Sequence, residues 1–179
     1  MKRICLDPGH GGEDPGAVGR SGLKEKDINL QVALKVAEQL IEKYAVNMTR
    51  VDDEYVSLSK RCEIANQSKS QLFVSIHCNA AENTGANGIE TYHYYASDRG
   101  RHLARGIQWG LIALTDRKDR GVKEAGFQVL RGTVMPAALV ELGFISNDEE
   151  EKLLQNEEYQ VACAKSIVRG IEEFFDRGY

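Results

Sequence analysis

The stretch KRICLDPGHGGEDPGAVGRSGLKEKDINLQVALKVAEQL, residues 2–40, decides how this chain is read. Residues 2–7 (KRICLD) form a short apolar run that ends on Pro8 and Gly9, the pattern of a buried strand closed by a turn. A polar, glycine-rich loop is expected from Pro8 to about Lys26. Asp27 is then placed to cap a helix over residues 28–44, with Leu30, Ala33, Leu34, Ala37, Leu40, Ile41 and Tyr44 recurring at helical spacing. A strand, a polar loop and a helix in this order make the opening unit of an α/β domain.

The pattern continues outward from that unit. Residues 46–51 read as a second strand and residues 58–67 as a short helix with Leu58, Cys62 and Ala65 on one side. Residues 72–76 form a compact apolar strand running into His77. After a polar loop at 80–88, residues 89–95 alternate with high β propensity. That strand is the candidate for an antiparallel one, because only a loop separates it from the strand before. A helix is expected over 99–114. Residues 127–130 and 137–142 read as two further strands, separated by a turn around Gly132. Helices over 148–155 and 159–175 close the chain, the last presenting Val161, Ala164, Val168, Ile171 and Phe175 as its apolar stripe. The expected fold is α/β: a single domain over residues 1–179, with a mostly parallel twisted sheet of about six strands and helices on both faces.

Composition narrows the function. A chain of 179 residues suits one domain, and 42% hydrophobic with 28% charged residues is a globular profile. No apolar run approaches the roughly 18 residues of a membrane span, so a membrane is not an expected partner. The N-terminus turns polar after six residues, unlike a signal peptide, which is also what a catalytic domain excised from a longer precursor would show. The net charge of -4, from 23 basic and 27 acidic side chains, argues against nucleic acid. Cys5, Cys62, Cys78 and Cys163 form no CxxC pair and read as small buried apolar residues. A monomer is the default expectation.

Three stretches deliver chemistry to one place. His10 and His77 follow the carboxyl ends of expected buried strands, where ligands bind in open α/β sheets. Glu141 interrupts the apolar run PAALVELGF, where a carboxylate loses hydration and needs a partner or a task. Two histidines and a carboxylate suit catalytic zinc, which keeps one position open. Glu13, Asp14, Glu25 and Asp27 are all available in the first loop as the acidic ligand, and spacing does not choose among them, although Asp27 suits the helix cap better. Asp7 is placed to orient the loop or to hydrogen-bond a ligand imidazole.

With these residues in view, DPGHGGEDPGA (7–17), GLKEKDINL (22–30), SIHCNA (75–80) and VELGFISN (140–147) resemble the signature blocks of the N-acetylmuramoyl-L-alanine amidases of the Amidase_3 type, which include autolysins and phage lysins. The resemblance spans nearly the whole chain in the family's order. It implies zinc held by His10, Glu25 and His77, with Glu141 as the catalytic residue. It implies hydrolysis of the amide between N-acetylmuramic acid and L-alanine, with peptidoglycan as partner, action at the cell wall or outside the cell, and a separate wall-binding module where the full-length protein carries one. Arg61, Ser75 and Asn79 also fall in matching blocks and read as structural. Some members carry an inhibitory helix after the third block; the short 80–88 loop here implies an open form.

The competing readings are another zinc amidohydrolase, a catalytically silent wall-binding module, and a cysteine hydrolase using Cys78 with His77. The last is disfavoured because adjacent strand residues point to opposite faces. Trp109 reads as core, Tyr92, Tyr94 and Tyr95 as strand packing, and His93 as a surface residue. Arg131 is a weaker candidate for meeting a substrate carboxylate.

Overall fold

The computed structural model describes residues 1–178. Six strands form one sheet: β1 (Arg3–Pro8), β2 (Ala45–Met48), β3 (Leu72–Asn79), β4 (Ile89–His93), β5 (Asp119–Glu124) and β6 (Ala137–Phe144). Their order is β2-β1-β3-β6-β4-β5. The first four in this order run parallel, while β4 pairs antiparallel with β6 and parallel with β5. Six helices complete the fold: α1 (Glu25–Leu40), α2 (Leu58–Gln67), α3 (Asp98–Thr115), α4 (Gln128–Arg131), α5 (Asp148–Gln155) and α6 (Glu157–Asp176). No helix is long and apolar enough to cross a membrane.

The central strands β1, β3 and β6 are buried on both faces, which explains their near-continuous apolar runs. One face sends Ile4, Leu6, Val74, Ile76, Val140 and Leu142 into a core shared with α1, α3 and α6. The other sends Cys5, Phe73, Ala137 and Leu139 into a smaller core closed by Cys62, Ala65, Val129 and Leu130. Helices therefore cover both faces, as expected.

Four local expectations need correction. Helix α1 begins at Glu25, and the residue before it, Lys24, offers no side-chain cap. Asp27 lies exposed in the first turn, where its charge still favours the positive end of the helix. Of the expected stripe of α1, Ala33, Ala37 and Leu40 are buried, whereas Leu34 and Ile41 are exposed; Ile28, Val32 and Val36 are buried beside them. Apolar residues flank that stripe on both sides, and packing against the sheet took in Ile28, Val32 and Val36 rather than Leu34 and Ile41. Residues 127–130 are not a strand; Gln128–Arg131 is a single helical turn. Strand β5 was not anticipated, because DRGVKE is too polar and charged to look like one. It is a half-exposed edge strand, where such residues are usual.

Candidate metal centre

The first loop is held from below by two buried arginines. Arg50 donates to the carbonyls of Pro8, Gly9 and Lys26. Arg61 donates to the Asp7 carboxylate at 2.8 Å and to the carbonyls of Pro8 and His10. Asp7 also accepts from Thr49 and Ser75, so its carboxylate is committed to fixing the loop and meets no imidazole. These bonds fix His10 in a left-handed conformation, φ 60°, which is uncommon for a residue other than glycine.

Two glycines make room for the imidazoles. A β-carbon on Gly9 would lie 2.1 Å from the His77 ring, and one on Gly16 would lie 2.6 Å from Glu25 Oε2. The loop can pass this close only without side chains at those positions.

The structure brings three of the expected residues together. His10 Nε2 lies 3.2 Å from Glu25 Oε2, and His77 Nδ1 lies 2.9 Å from Glu25 Oε1. One ligand atom from each of His10, Glu25 and His77 falls within 4.8 Å of the others. The rings meet edge to face with centroids 5.1 Å apart. Among the four acids open at the start, Glu25 is the one in the cluster. It is reached from the first turn of α1, and Cys78 N–H and Asn29 hold its Oε1 as well. Asp14 sits behind His10, with Oδ2 2.8 Å from Nδ1 and Oδ1 accepting from Gly16 N–H. Asp7 thus keeps the loop-orienting role, the first of the two expected for it, and Asp14 takes the second, beside an imidazole.

The electrostatics follow from burial and partners. Burial works to raise the Glu25 pKa, yet the two imidazoles bonded to it hold it well below the usual carboxylate range. Burial opposes charging of His10, and Glu25 and Asp14 outweigh it and raise its pKa.

Glu141 stands beside His77 in register across β3 and β6. Its Oε2 is enclosed and has no hydrogen-bond partner, one of only three such side-chain atoms among the described residues. Burial, followed by the charges of Glu25 and Glu90, pushes its carboxyl well above the ordinary range. An orphaned acceptor next to a cluster of two imidazoles and a carboxylate fits a cation and a solvent molecule between them. The donor spacing agrees: ligands about 2.0–2.1 Å from a tetrahedral zinc stand roughly 3.3 Å from each other.

Other residues fall elsewhere. Cys78 is buried on the opposite face, its thiol pushed well up by burial and directed to Asn29, so it makes no pair with His77. All four cysteines are free and buried. Trp109, expected in the core, is 58% exposed on α3 with the Arg169 guanidinium over its ring. His93, expected at the surface, is buried, its Nδ1 2.9 Å from the carbonyl oxygen of Tyr94. Arg131 is exposed in α4 and enters no contact with the cluster. Asn79 donates to Glu90 at 2.7 Å. The buried Glu90 and its partners went unnoticed in the sequence, although a glutamate inside an alternating strand is the same signal that drew attention to Glu141.

Comparison with known proteins adds to the geometry. The family model described as N-acetylmuramoyl-L-alanine amidase matches residues 4–173. The chain is 44% identical to the uncharacterized protein YqiI of Bacillus subtilis over 179 residues, covering 86% of that protein. It is 38% identical to the N-acetylmuramoyl-L-alanine amidase LytC of the same organism, spanning 96% of this chain and 35% of LytC. Among solved structures, an N-acetylmuramoyl-L-alanine amidase from Clostridium difficile 630 superposes with a TM-score of 0.97 at 39% identity, covering 100% of this chain and 99% of that one. The catalytic domain of CwlV, from Bacillus (Paenibacillus) polymyxa, superposes at 0.94 with 39% identity, covering 98% and 99%.

Proposed function

The chain belongs to the Amidase_3 family of N-acetylmuramoyl-L-alanine amidases, and on that premise we propose that residues 1–179 are a zinc-dependent catalytic domain that hydrolyses the amide between N-acetylmuramic acid and L-alanine in peptidoglycan. The observation that carries the zinc reading is the convergence of His10, Glu25 and His77 beside the unpartnered carboxylate of Glu141. His10, Glu25 and His77 would hold the ion. When bound, zinc supplies a Lewis acid that polarises a carbonyl and lowers the pKa of water toward about 7.

The remaining work belongs to the chain. Asp14 fixes the His10 ring by accepting at Nδ1, which leaves Nε2 turned toward Glu25. Glu141, acting through its unpartnered carboxylate, takes a proton from the attacking water and gives it to the departing amine nitrogen of L-alanine. Its enclosure keeps competing hydrogen bonds away from that oxygen. The site of action follows from the substrate: the cell wall, with a separate wall-binding module where the full-length protein has one.

The test is product analysis on purified sacculi. Cleavage at the proposed bond yields new L-alanine amino termini and no new reducing sugar ends. Treatment with a chelator abolishes it, and zinc restores it. New reducing ends, or termini other than L-alanine, would overturn the reading.

A further inference from the structure

The row of paired positions that carries His77 and Glu141 continues one strand further, to Glu90 on β4. Glu90 is 2% exposed. Its Oε1 accepts from Asn79 and from the Tyr92 hydroxyl, and its Oε2 accepts from Arg120 Nε and Lys123 Nζ. One buried carboxylate is neutralised by one cation. Here two cations converge on one oxygen, leaving an excess of positive charge at a sheet edge otherwise lined by Glu141, Glu25 and Asp14.

Both cations keep donors to spare. The Arg120 and Lys123 side chains are 28% and 39% exposed. The Arg120 guanidinium is fixed by Glu90, by the Asn87 carbonyl and by the Phe144 ring 4.7 Å beneath it, while its Nη2 has no hydrogen-bond partner among the described residues. Lys123 uses a single bond, to Glu90, of the three an ammonium can donate. This is a fixed fork beside a compact point charge, the arrangement that recognises a carboxylate.

We propose that Arg120 and Lys123 form a specificity subsite for a carboxylate on the peptide side of the scissile amide. The inference rests on the amidase reading above. In that substrate the glycan is uncharged and the lactyl carboxyl is consumed in the amide, so anionic groups lie on the peptide. The α-carboxylate of the residue after L-alanine stands about 6 Å from the scissile nitrogen, given 3.8 Å between successive α-carbons. The step from Glu141 to the cations is of the same order: about 5 Å between paired strand positions, then one hydrogen bond beyond Glu90.

The test compares muramoyl-L-alanyl-D-glutamate with its isoglutamine counterpart, in which that carboxylate is an amide. For the unaltered protein kcat/KM favours the acid by about tenfold. Lys123→Gln brings the ratio near one, and Lys123→Arg restores the preference. Parity in the unaltered protein, or an undiminished preference in Lys123→Gln, overturns the subsite. Failure of the amidase reading looks different: neither compound yields L-alanine termini. In that event calorimetry with free L-alanyl-D-glutamate and its amide decides, since tighter binding of the acid, lost in Lys123→Gln, supports the subsite and equal binding overturns it.

Discussion

His77 and Glu141 occupy paired positions on the neighbouring parallel strands β3 and β6, so their side chains leave the same face of the sheet one strand apart. Strands are rigid in this direction, and the pairing fixes a cluster imidazole beside an enclosed, unpartnered carboxylate oxygen. Much of what can be tested follows from that adjacency and from the groups that hold it.

His77→Ala removes one of three converging donors. Native mass spectrometry is expected to find one zinc per chain in the unaltered protein and none in the variant. Full zinc occupancy in His77→Ala would remove His77 from the ligand set.

Glu141→Gln should bind zinc normally and lose roughly 10²–10⁴-fold in turnover, the usual worth of a positioned general base. Stability gives a second readout. The folded state raises the Glu141 pKa, so folded protein binds more protons than unfolded protein above the ordinary carboxylate range. The stabilising side is therefore low pH, and metal-free protein loses stability as pH climbs from about 4.5 toward neutrality. Denaturant titrations at pH 5 and pH 7.5 should show this decline in metal-free protein and a weaker one in the variant.

Asp14→Asn keeps the oxygen that accepts from Gly16 but removes the charge beside His10 Nδ1. Zinc affinity should fall about 10–100-fold, measured by competition with a chromogenic chelator. An unchanged affinity would show that His10 needs no orienting anion.

Glu90 predicts an acid limit. Burial pushes its carboxyl up, but bonds from Lys123, Tyr92 and Arg120 prevail and hold the pKa at about 2. A depressed pKa contributes stability above the unfolded value, and that contribution disappears as pH falls from about 4.5 to about 2. It is on the order of 3 kcal/mol, at about 1.4 kcal/mol per unit. Glu90→Gln should flatten the stability profile in this window, followed by thermal melts in series.

Arg61→Met strips a 2.8 Å ion pair whose side chains are 3% and 0% exposed, leaving Asp7 buried without its cation. The expected cost is about 3–5 kcal/mol in urea denaturation. Zinc affinity should fall as well, because Arg61 also holds the His10 carbonyl at 2.7 Å.

The sequence alone determined the α/β class and the buried central strands, and it drew attention to His10, His77 and Glu141. Long apolar runs, isolated histidines and a glutamate inside PAALVELGF are local signals, and local signals survive in one dimension. It placed Ala33, Ala37 and Leu40 on the buried side of α1 but did not choose which flank of that stripe faces the sheet, because Leu34 and Ile41 are as apolar as Val32 and Val36. It did not reveal β5, whose polar residues become a strand only by pairing with β4. Nor did it separate Glu25 from Glu13, Asp14 and Asp27 except by resemblance. That separation needed the fold, since a carboxylate becomes a partner of His77 only when a helix start 52 residues away in sequence is packed against the end of β3. The Glu90 cluster was hidden for the same reason: Asn79 comes from β3 and Arg120 and Lys123 from β5, and sheet pairing alone brings these donors to the two oxygens of one buried carboxylate on β4.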